Sequence, residues 1–136
     1  MSTGTGISNY AELKILDHML GTTTWTKPTA VYMALGTDTT PSDTTFTELT
    51  VDTYGYARQA VAFDAAASGA ANNTAIITFG PCSGTTWGTV KSFALYDNDG
   101  SPSGNMICYG SLSSPVTIDV ADRLEFAAGA VVVNLD

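Results

Sequence analysis

Few side chains in this sequence are of a kind that does chemistry, and none stands in a spacing that a reaction needs. His18 is the single histidine, so any serine–histidine–aspartate relay would have to run through it. It lies beside Asp17 on a predicted helix, no nucleophile elbow accompanies it, and it reads as an exposed helix histidine. One histidine and no Cys-x-x-Cys leave no zinc site. Asp97-Asn98-Asp99-Gly100 opens like a calcium loop, but the bidentate glutamate that closes such a loop does not follow. A turn between two strands accounts for it. Asp38, Asp43, Asp52, Asp64, Asp97 and Asp99 all fall in polar turns, where aspartate serves local hydrogen bonding. No two of them stand out as the acid and base of a glycoside hydrolase. The glycines are turn glycines and make no phosphate cradle. No catalytic residue, cofactor or metal is expected.

The composition narrows the partners. Of 136 residues, 13% are charged, about half the usual ~25%, so the polar surface must come from Thr, Ser, Asn and Gly. Such residues favour strands and turns over helices. The net charge is −8, and Lys14, Lys27, Arg58, Lys91 and Arg123 are scattered. Phosphate backbones and anionic membranes need clustered cations, so neither nucleic acid nor a membrane is expected as partner. No run of about 20 apolar residues exists to span a bilayer. The first residues lack the basic and apolar regions of a signal peptide, so synthesis in a cytoplasm is expected. There, Cys82 and Cys108 read as two free thiols rather than a disulfide.

The elements that must position these residues are mostly short strands. Residues 1–7 read as an N-terminal arm, either flexible or an extended lead-in, and residues 8–136 as a single β-domain. A helix is predicted at about 9–20, capped by Asn9 with Glu12 or else by Ser8 and ended by Gly21. Leu13, Leu16 and Leu20 recur on one side of it, with Ile15 and Met19 widening the stripe, and this stripe is expected to pack on the sheet core. Short strands follow at roughly even spacing, separated by Gly, Pro and Asp turns. The fold class they imply is mainly β: an antiparallel β-sandwich, jelly-roll-like, with one short N-terminal helix.

The longest β-compatible run is Tyr54–Phe63, which reads as a central strand covered on both faces. Arg58 sits inside it. A buried charge requires a partner, so pairing is expected with Asp52, Asp64 or a carboxylate from a neighbouring strand. Trp87 and Tyr56 read as packing between sheets. Trp25, in a polar linker, and Tyr32 are more open. With Ile7 of the arm and Pro41 of the loop 37–45, they are the residues expected to touch a partner.

At this point a resemblance appears. The run Ala11–Gly21 resembles the opening helix of a family of small bacteriophage virion structural proteins. Thr29–Leu35, Tyr56–Val61, Trp87–Val90, Ala94–Asp97, Gly104–Met106 and Leu124–Ala130 are similar to the segments that follow in that family, in the same order. The resemblance covers nearly the whole chain from Ala11 onward. Its members are tail-fibre-like proteins, and similar small β-proteins decorate capsids. It implies a non-enzymatic virion protein held by protein–protein contacts. The expectation placed first is a capsid decoration, or cement, protein that binds the major capsid protein on the head surface and is itself a homo-oligomer. The alternative is a tail or tail-fibre component that binds tail proteins or host glycan.

Overall fold

The computed structural model describes residues 6–100 and 104–135. Gly6–Ile7 form a first short strand, β1, and the chain then turns directly into helix α1, Asn9–Met19. The helix starts at Ser8 because Ser8 is extended (φ −69°, ψ 154°) and its hydroxyl accepts the Ala11 N–H. That bond satisfies one of the donors a helix start leaves open. The cap is therefore the serine rather than Asn9. Leu20 closes the helix, its N–H donating to the Leu16 carbonyl, and Gly21 leaves it with φ +76°.

Eight more strands follow: β2 Val31–Gly36, β3 Gln59–Val61, β4 Ala70–Asn72, β5 Ile77–Phe79, β6 Gly88–Tyr96, β7 Met106–Ile118, β8 Leu124–Phe126 and β9 Val132–Asn134. Five of the nine make one sheet in the order β1-β7-β6-β2-β3. The others pair as two ribbons, β4 with β9 and β5 with β8. Every pairing is antiparallel. The fold is thus mainly β and antiparallel with one short helix, and its second layer consists of two-stranded ribbons. β7 keeps register with β6 at Ser92↔Ser111 and again at Val90↔Val116. Residues 112–115 therefore stand opposite Lys91 alone, an insertion that bends the strand and lets it carry Pro115.

Side chains alternate across a strand, so the sheet has two differently covered faces. Met33, Leu35, Val61, Leu95 and Cys108 on one face join Ile77, Phe79, Leu124 and Val131 from the ribbon side in a single core. On the other face Ala34, Ser92 and Ala94 are fully buried. There a methyl group added to Gly36 would lie 2.4 Å from the Phe46 ring, so the absence of a side chain is what admits that ring. Helix α1 packs on β7 and buries Ala11 completely.

Two expectations are corrected by the structure. The central strand Tyr54–Phe63 is reduced to Gln59–Val61. Asp52, Tyr54 and Gly55 have φ of +58°, +52° and +80°, and the chain doubles back so that the Asp52 N–H reaches the Tyr56 carbonyl at 2.9 Å. Gly55 is obligatory in that loop, since an added methyl group would meet the Pro81 carbonyl oxygen at 2.2 Å. At the end of the N-terminal arm, Gly6 and Ile7 are extended and pair with Tyr109 and Cys108, and Ile7 packs against the core. Residues 1–5 lie outside the described residues. Finally, the helix stripe does not face the core. Leu13, Leu16 and Leu20 are exposed, with Met19, because the helix docks through the opposite side, at Ala11, and through its serine cap.

Candidate functional site

Two places gather side chains beyond what a β-core needs: a buried polar knot around Arg58, and the outer face of α1. In the knot, the Glu48 carboxylate takes both forks of the Arg58 guanidinium, Nε to Oε1 at 2.8 Å and Nη2 to Oε2 at 2.7 Å. Their side chains are 3% and 16% exposed. The Tyr56 hydroxyl donates to Glu48 Oε1 at 2.8 Å and accepts the Leu35 N–H at 3.0 Å. Arg58 Nη1 donates to the Asn98 carbonyl and side-chain oxygen at 3.2 and 3.1 Å. The guanidinium also lies 3.7 Å from the centre of the Tyr96 ring, a cation–π geometry. The carboxylate partner of Arg58 is thus Glu48, and neither Asp52 nor Asp64 occupies that place.

The electrostatics follow from burial and this pairing. Burial works against the charged guanidinium, but the hydrogen-bonded Glu48 carboxylate outweighs it and holds the Arg58 pKa above its ordinary value. Burial, then the Glu48 charge, pushes the Tyr56 hydroxyl far above the usual tyrosine range. Tyr96 is raised for the same two reasons. Burial alone pushes the Cys108 thiol up to about 12, and Cys82 and Cys108 are both free. The raised values of Tyr56, Tyr96 and Arg58 keep these three groups protonated near neutral pH. Chemically, the knot clamps three separate segments together by charge-assisted hydrogen bonds.

The remaining chemistry-bearing residues have local partners. His18 Nδ1 accepts the Trp25 N–H at 3.2 Å, which folds the linker back over the helix end. Asp97 accepts from the backbone and side chain of Asn105 at 2.7 and 2.9 Å, closing the turn. Among the described residues no group of three or more His, Cys, Asp or Glu assembles as metal ligands, and no helix is long and apolar enough to cross a membrane. A cleft of about 560 Å³ opens beside β7, with Met33, Leu112, Leu124, Phe126 and Val131 among its walls and Glu125 its one charged lining residue.

The residues expected at a partner surface are scattered. Ile7 is in the sheet, Pro41 is buried and Trp25 and Tyr32 are half-buried. Trp87 is buried, donating its indole N–H to the Tyr54 carbonyl at 2.8 Å and meeting Tyr56 edge-on with ring centres 5.7 Å apart. The surface that does stand out is the helix. Leu13, Leu16, Met19 and Leu20 are 64%, 52%, 74% and 74% exposed. The leucines stand out in the sequence as a periodic stripe, and their environment is solvent rather than the sheet core. Glu48 is a functional residue that the sequence marks only faintly, as a lone glutamate between Phe46 and Leu49 that differs from the turn aspartates around it.

Residues 6–134 match the family described as "Podophage GP4 fiber I protein gp80". The chain belongs to this phage fibre protein family. The match runs from β1 through β9, so the Arg58 knot and the α1 face both lie inside the family's common unit. Membership in the gp80 family makes this a bacteriophage virion structural protein. No curated protein matches the chain.

Proposed function

We propose that the protein is a non-enzymatic structural subunit of the phage tail fibre apparatus, attached to other tail proteins through its surface. The observation that carries this reading is the fibre-family match across residues 6–134, which favours the tail over the capsid reading that the sequence placed first. The site geometry is in keeping with it. The polar knot fastens the fold, while four of the nine exposed large apolar side chains among the described residues sit on one helix. Particles grown with and without the protein test the proposal. Those lacking it are expected to withstand heat and osmotic shock like complete particles and to adsorb poorly to host cells. Particles that adsorb normally but burst under stress would support head decoration instead.

A further inference from the structure

Among the described residues, the outer face of α1 leaves its apolar side chains exposed. Leu13, Leu16 and Leu20 recur at three- and four-residue steps and form one stripe, with Met19 at its edge. Single exposed leucines need no explanation, but a contiguous apolar patch marks an interaction site. The stripe is not what holds the helix down. That is done from the other side by fully buried Ala11 and by Ser8, whose hydroxyl donates to the Met106 carbonyl.

The charges beside the stripe discriminate between occupants. Taking Leu13, Leu16 and Leu20 as the seam of a helix pair, Glu12 and Asp17 take the flanking positions. Lys14 stands away from the seam, its ammonium 5.8 Å from the centre of the Tyr10 ring. A second copy packed in parallel would set Glu12 opposite Asp17, and an antiparallel copy would set Asp17 opposite Asp17. Each copy also brings a net charge of −8. Like charges across an interface oppose association, and opposite charges select it.

We infer that the α1 face docks a different virion protein through an apolar surface bordered by lysines or arginines, and not a second copy of this chain. The inference rests on the fibre reading for where that protein sits. The probe is virus particles grown without this chain and supplied with the purified protein, with bound copies counted at low and high salt. Wild type is expected to bind, and to bind less as salt rises. Leu16→Glu is expected to lower binding by about tenfold or more. The double variant Glu12→Lys/Asp17→Lys is expected to weaken binding and remove most of its salt dependence. Leu16 and Glu12 are exposed, while Asp17 is half-buried and its Oδ1 accepts the Thr22 hydroxyl at 3.0 Å, so the Leu16 variants are expected to match wild type in circular dichroism and melting, and the double variant to keep the folded spectrum. Leu16→Ser serves as a milder second variant. Sedimentation of the protein alone is expected to give a monomer.

Equal binding by wild type, Leu16→Glu and Leu16→Ser would overturn the docking face. A wild-type oligomer that Leu16→Glu dissociates would put a second copy there and overturn the partner. Binding indifferent to salt and to charge reversal would overturn the basic border. The fibre reading fails on a separate readout: wild-type protein adding to heads rather than tails contradicts it, and the Leu16→Glu comparison still decides the face.

Discussion

At the scale of single residues, the molecule depends on a few buried polar groups being mutually satisfied. Glu48 is the hub, since it neutralises Arg58 and accepts the Tyr56 hydroxyl at once. Removing one partner of a buried pair leaves the other charge uncompensated. Glu48→Ala is therefore expected to cost about 3–5 kcal/mol in urea unfolding, and a loss below about 1 kcal/mol would contradict the knot. Tyr56 gives a pH dependence with a definite sign. Its ordinary pKa is 10.0, and burial beside Glu48 raises it in the folded state. Below pH 10 both states keep the proton and the contribution is intact. Above it the unfolded chain releases the proton that the folded chain retains, so stability falls as pH rises. Between about pH 9 and 11, Tyr56→Phe is expected to lose stability less steeply than wild type, though starting lower because the buried Leu35 N–H loses its acceptor. Parallel slopes would contradict this. That Arg58 needed a buried partner was legible from its apolar surroundings. Which carboxylate it takes was not, because the choice depends on how the loop through Glu48 folds back against β2, where Gly36 bridges to Glu48.

At the scale of elements, alternation and turn residues place strands at Ala30–Leu35 and Val90–Tyr96, and the structure has them at Val31–Gly36 and Gly88–Tyr96. The run Tyr54–Phe63 misled because a β-compatible composition says nothing of left-handed backbone, which here is adopted by Asp52 and Tyr54 as well as Gly55. The helix was legible in its extent and not in its orientation. Periodicity locates an apolar stripe without saying whether that stripe meets the sheet or another protein. Ala11, a single small residue, marks the true inner side. Leu16→Ala is accordingly expected to change stability by no more than about 0.5 kcal/mol. Ala11→Leu, which forces extra atoms into a filled space, is expected to cost about 1–3 kcal/mol. Urea denaturation of the two variants in parallel reads this directly, and the reverse ranking would mean that the stripe faces inward.

At the scale of the whole molecule, the described residues form an acidic β-domain with nine strands and a clamped interior, which suits the proposed role in assembly. Membership in the fibre family was foreshadowed by the order of segments from Ala11 to Ala130. Tail or head was not legible there, since both call for a small, stable, non-reactive domain. The most direct measurement is the position of the protein on intact virions, by gold-labelled antibody in electron microscopy with quantitative protein counting. The account predicts label confined to the tail, at a few to some tens of copies per particle. Label spread over the head surface at hundreds of copies per particle would contradict it.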